Sequence, residues 1–179
     1  MKRVITSLIL IIGLVTVASS AYAEQLDANT QQALIDAIQD EYKARAMYKK
    51  VIDTFGAVRP FSNIIRAEEQ HIAELKPLFE KYGVDIPKDE WYAEIPEFTT
   101  VLDACEAGVK AEIENAGMYD EFFTFVKEHD VIDVFTRLRN ASQEKHLAAF
   151  QRCVDRGSGQ GRGRGRGPGK GQGQQKGRS

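Results

Sequence analysis

Three stretches of this chain carry apolar residues at alternating steps of three and four, and in each the stripe is interrupted by an acid or a histidine. One reads Leu34, Ile38, Glu41, Ala44, Tyr48, Ile52, Phe55. The second reads Phe61, Ile64, Glu68, His71, Leu75, Leu78, Tyr82, and the third Leu102, Cys105, Val109, Glu112, Ala116, Tyr119, Phe123, Val126. That rhythm is the inward face of an amphipathic helix. A carboxylate on such a face must be paired, protonated or metal-bound, because burying a lone charge is very costly. The polar positions are ordered as well: Glu41 precedes Tyr48 by the interval at which Glu112 precedes Tyr119, and Glu68 and His71 form a Glu-x-x-His step.

The ends of the chain read differently. Lys2 and Arg3 precede an apolar run from Val4 to about Ala18, and Ala21-Tyr22-Ala23 gives a small-x-small cleavage pattern. Residues 1–23 are expected to be a secretory signal peptide. The run of about 15 residues falls short of the roughly 20 that a membrane span needs. Beyond Arg156 the sequence is mostly Gly, Arg, Gln and Lys, without a clearly hydrophobic residue, and residues 156–179 are expected to be a disordered basic tail. All 26 acidic residues lie in residues 24–155, against 15 basic ones, while the tail holds seven basic residues. The near-neutral total therefore conceals an acidic domain and a basic extension. Arg-Gly repeats suit a polyanion, and for an exported protein an anionic surface polymer is the expected partner; a tail that folds back on its own acidic domain is the alternative.

Residues 24–155 suffice for one core. The pattern predicts four long helices: from Asn29 or Thr30 as N-cap to Phe55, from Pro60 to Tyr82 with a kink or frayed turn at Pro77, from about Thr100 to Lys127, and from Asp130 as N-cap to about Val154. Residues 83–98, with Pro87 and Pro96, read as a long crossover. The implied fold is all-α, two antiparallel helical hairpins joined by one crossover. The halves echo one another, Glu41-x-x-Ala44-x-x-Met47-Tyr48 against Glu112-x-x-Asn115-x-x-Met118-Tyr119, with His71 matching His146.

Folding the second hairpin about residue 129 or 130 puts Cys105 and Cys153 at equal height. A disulfide is expected in an oxidising compartment, with two buried thiols or a soft-metal pair as alternatives. The same reflection places His146 beside Glu112, and in the first hairpin His71 within a turn of Glu41. His129 falls at the turn and is expected to be exposed. No Ser or Cys stands beside a base in the inward set, so nucleophilic catalysis is not indicated.

These residues resemble the ferritin-like superfamily, its rubrerythrin-type arrangement most, and within it an exported, largely uncharacterised branch known as a domain of unknown function. The resemblance spans the four helices, roughly residues 30–153. It implies a metal site built from Glu41, Glu68, His71, Glu112 and His146, with Tyr48 and Tyr119 in support. Where the family pattern has a fourth carboxylate three residues before the last histidine, this chain has Gln143. Gln143 would then face the gap through a neutral amide as a possible ligand. Glu144, about 200° around the helix from His146, is the other possible ligand if the helix is locally distorted and should otherwise point elsewhere. The implied cofactor is iron, as two ions or one, with manganese or zinc as alternatives suited to nitrogen and oxygen ligands. The implied activity is ferroxidase- or peroxidase-type redox chemistry. No Cys-x-x-Cys donor module is present, so a peroxidase would take electrons from a partner protein. A non-catalytic metal-binding or structural bundle with a polyanion-binding tail is the alternative, and a homodimer stays open.

Overall fold

The computed structural model describes residues 25–158, and among them the chain is helical with no strand. The expected signal peptide, and the basic tail beyond Ser158, lie outside the described residues. No helix among those described is long and apolar enough to cross a membrane.

Helix α1 spans Ala28–Phe55. Its N-cap is Asp27, not Asn29 or Thr30: the Asp27 carboxylate accepts from the backbone N–H groups of both, at 2.9 and 3.0 Å. A carboxylate at that position also faces the positive end of the helix dipole. The helix stops at Gly56, whose φ of 81° a side chain would resist. Helix α2 covers Phe61–Tyr82 and continues through Pro77. Gly83 ends it in the left-handed conformation, its N–H bonded to the Phe79 carbonyl. The crossover carries only a single turn, α3, Trp91–Glu94.

Helix α4, Val101–Phe122, starts with a capping box in which Thr100 and Asp103 each accept from the other's backbone N–H. It ends five residues before the expected Lys127, so Phe122 is buried and Phe123 only half-buried. Helix α5, His129–Asn140, begins without a side-chain cap. Asp130, expected to cap it, is engaged elsewhere: Lys81 and Tyr82 of α2 donate to its carboxylate at 2.8 and 2.7 Å. The last rod continues through a π-helical turn, Ala141–His146, into α6, Leu147–Gly157.

The helices pack as a bundle, α1 against α2 and α4, α4 against α6, and α5 against α2 and α4. Two apolar clusters fill it. One gathers Leu34, Ile38, Leu75, Phe79, Phe122, Phe135 and Leu138. The other holds Val51, Phe61, Phe150, Cys105 and Cys153, and there the two cysteines form the expected disulfide, with Cα atoms 6.0 Å apart. Gly108 lets α4 approach α6 closely, since a Cβ there would lie 2.6 Å from the Phe150 ring. Tyr119 belongs to the first cluster and Tyr48 to the second, and the acids and histidines form a polar layer hydrogen-bonded to both.

Candidate metal centre

Glu41 on α1, Glu68 and His71 on α2, Glu112 on α4 and His146 at the end of the π turn are all buried. Four rods thus converge on one layer, as the folding-back of the hairpins predicts. His71 Nδ1 lies 3.0 Å from Glu41 Oε2 and 2.9 Å from Glu68 Oε2. His146 Nδ1 lies 3.3 Å from Glu68 Oε1 and 3.6 Å from Glu112 Oε2, yet it completes a hydrogen bond with neither. The two imidazoles stack with centroids 5.6 Å apart. Two sets of three ligand atoms result, Glu41–Glu68–His71 and Glu68–Glu112–His146, each within 4.8 Å of one another. Glu68 is common to both, one oxygen turned toward each set.

The tyrosines brace the layer. Tyr48 donates to Glu112 Oε1 at 2.6 Å and Tyr119 to Glu41 Oε1 at 3.1 Å. Each hydroxyl reaches the carboxylate of the other repeat, so the pairs cross between α1 and α4. Burial, then the facing carboxylates, push both phenols far above their ordinary range, which keeps them as donors. Each carboxylate so held keeps its second oxygen toward a histidine.

Burial and mutual contact displace the protonation of these groups in opposite directions. Burial and the charge of Glu68 raise the Glu41 carboxyl to about 8. For Glu68, burial works the other way but is outweighed by His146, His71 and Glu41, which hold it down at about 2. Burial opposes charge on His71 as well, but Glu41 and Glu68 lift it to about 10, and Glu112 with Glu68 lift His146 to about 9. Protons are thus held on both imidazoles and on Glu41, and a metal ion would displace them. The unsatisfied His146 Nδ1 is the sharper indication: a buried nitrogen aimed between two carboxylates without bonding either has the position of a ligand atom.

The fourth rod departs from expectation. Gln143 and Glu144 are both exposed, and Ser142 is the buried residue, at 3 % exposure. The cause is the π turn. Leu147 N–H bonds to Ser142 O, five residues back instead of four. The wider turn moves the position above His146 from Gln143 to Ser142. No residue of Gln143's kind was needed inside, and nothing in the sequence marks the extra residue. His129 is exposed, as expected.

A cavity of about 330 Å³ opens beside the layer between α1, α4 and the end of the crossover. Glu41, Glu68, Glu112 and Ser142 form its inner end, and Met47, Ile95 and Phe98 contribute an apolar wall. Asp40 and Asn115 also line it. Sequence reasoning gave Asn115 only a place in the repeat, although its spacing of three from Glu112 puts it on the same helix face. Burial raises the Asp40 carboxyl, against the hydrogen bond from Asn115.

The sequence profile of a family described as an uncharacterized protein domain, DUF2202, matches residues 30–162. The chain belongs to that family. The match spans all the helices of this DUF2202 domain except the first residues of α1. No curated protein matches the chain. Among solved structures, a hypothetical protein of Methanococcus jannaschii DSM 2661 is similar, with a TM-score of 0.69 and 22 % identity over 78 % of this chain and 87 % of that one. At that identity the likeness speaks for the DUF2202 fold alone.

Proposed function

We propose that the protein is an exported, ferritin-like four-helix metalloprotein that holds non-haem iron, as two ions or one, between its buried carboxylates and histidines. The observation that carries this is the pair of Glu–Glu–His sets sharing Glu68 within one buried layer. Glutamates and histidines projected inward from four helices are how such bundles hold two metal ions. Two antiparallel hairpins and one long crossover support the ferritin-like reading of the helix order, and the disulfide is compatible with an oxidising compartment.

In this reading Glu41, Glu68 and His71 hold one position, and Glu68, Glu112 and His146 the other. Bound iron would supply a one-electron couple, suited to oxidation of ferrous ion by oxygen or peroxide or to reduction of peroxide. Tyr48 and Tyr119 fix the carboxylates, the two apolar clusters exclude water above and below, and the cavity gives small reactants a way in. A partner protein would supply electrons for peroxide reduction.

One observation favours a non-catalytic metal-binding or structural bundle instead. Ser142 stands where a fourth carboxylate would, which leaves the second set a charge short. Metal analysis of protein expressed through its own amino-terminal segment tests the proposal. Iron should copurify, or bind on addition, and Glu68→Ala should lose both positions while His71→Ala loses the first. Full metal content in a Glu68→Ala, His71→Ala double variant would place the site elsewhere.

A further inference from the structure

The cavity that reaches the buried carboxylates has its own polar feature short of them. Asn115 lies one helical turn beyond Glu112 on α4, and Asp40 immediately precedes Glu41 on α1. Asn115 Nδ2 donates to Asp40 Oδ2 at 2.7 Å across the gap between the helices. Asn115 is 6 % exposed, and its Oδ1 is buried without a hydrogen-bond partner. An ionised Asp40 only accepts, so this bond assigns the amide nitrogen to Asp40 and leaves the neighbouring carbonyl oxygen as the atom without a partner. Leaving a buried acceptor unmatched is costly. The repeat-related position on α1 is Ala44, which also lines the cavity, so the fold does not require a polar side chain there.

A carbonyl oxygen beside a carboxylate is the donor pair preferred by oxygen-seeking divalent cations. Both residues line the cavity, and Glu41 and Glu112 lie at its inner end. Exposed Glu114 adds a further acid to the cavity wall, and Lys43 and Lys110 also line it, Lys110 3.7 Å from Glu114, so that acids outnumber bases there by five to two. We propose that Asp40 and Asn115 form an outer cation-binding site through which divalent metal, partly hydrated, passes to the buried centre. The inference rests on the metal-centre reading above and adds a route to it. Asp40 draws the ion from solvent and the Asn115 carbonyl replaces one of its waters. Glu41 and Glu112 then take it inward, each one or three residues along from the outer pair. Neither outer residue is a ligand of the final site, so they govern the rate of loading and leave the final content alone.

The test is stopped-flow uptake of Co²⁺, whose visible absorption reports a nitrogen and oxygen ligand field without redox chemistry. Asp40→Asn preserves the shape of the pair and removes its charge. It should slow uptake about tenfold at low salt, with the same final Co²⁺ per chain by elemental analysis. Added salt should slow the wild type more than this variant. Asn115→Leu should also slow uptake, and Asn115→Asp should load at least as fast as wild type. Wild-type rates in both Asp40→Asn and Asn115→Leu would overturn the route while leaving the centre intact. A lowered final content in Asp40→Asn would make Asp40 part of the centre and equally overturn it. If wild type takes up no Co²⁺, the centre itself is refuted and the route falls with it.

Discussion

Removing the Cys105–Cys153 bridge gives a loss of stability that can be worked from its position. The cysteines are 48 residues apart and join α4 to α6. Closing a loop of that size in the unfolded chain corresponds to about 4 kcal/mol at 25 °C. Globular proteins unfold with an entropy of about 2.1 cal/mol/K per residue, which is about 0.28 kcal/mol/K for a folded part of about 130 residues. The quotient is a Tm decrease of about 10–15 °C for a Cys105→Ala, Cys153→Ala variant. Calorimetry on metal-free protein, oxidised wild type against the variant, measures it. Neither sulfur touches the polar layer, so metal content at saturation should not change. A Tm change below about 4 °C would refute the loop argument, since residual structure or strain would then have cancelled most of the term.

Stability without metal should peak near pH 4.5, where the opposite slopes of Glu41 and Glu68 cancel, and fall toward pH 10. His71 and His146 are raised to about 10 and 9 and Glu41 to about 8. Each of these groups therefore stabilises fully below its unfolded value and progressively less as pH climbs to its folded one. Glu68, lowered to about 2, acts oppositely and loses its contribution as pH falls below about 4.5. Metal should reverse the alkaline slope because it replaces those protons, so thermal melts from pH 5 to 9 should show a widening gap between loaded and metal-free protein; a metal-free Tm that rises over pH 6–9 would contradict this. Ser142→Glu should raise metal per chain, whereas Gln143→Glu, on the exposed face, should leave it unchanged by elemental analysis. Gly108→Ala should lower stability by about 1–3 kcal/mol in denaturant titration, because its Cβ meets the Phe150 ring, despite a helix-propensity gain of about 1 kcal/mol.

The helical character and the composition of the buried layer were legible because burial writes itself into spacing. Glu41, Glu68, His71, Glu112 and His146 stand where a leucine would otherwise be expected, and nothing but a shared interior explains acids in those places. The cysteine pair was legible because an antiparallel hairpin maps residues across its turn by simple counting. Counting failed where the helix itself changes. The family resemblance implies an inward Gln143, three residues before His146 as in a regular α-helix, and the π turn hands that place to Ser142. The caps failed for a different reason: Asp130 has the chemistry of a cap, but Lys81 and Tyr82 compete for it across the bundle, and competition between distant segments leaves no local mark. Asn115 was visible as a repeat position, while its unmatched carbonyl depends on Asp40, 75 residues earlier in the chain.

The π turn has a consequence for how this chain can vary. Upstream of it, α5 is anchored by buried Phe135 and Leu138 and by the Arg139–Asp120 pair. Downstream, α6 is anchored by Phe150 and by a covalent bond at Cys153. Neither half can rotate to absorb a change in length, so the extra residue sits in the one stretch free to hold it. Losing a single residue between Ala141 and Lys145 would restore an ordinary helix and bring a different side chain over His146, with both anchors kept. Substitutions walk the sequence of this wall one side chain at a time. A deletion would exchange its inward face in one step.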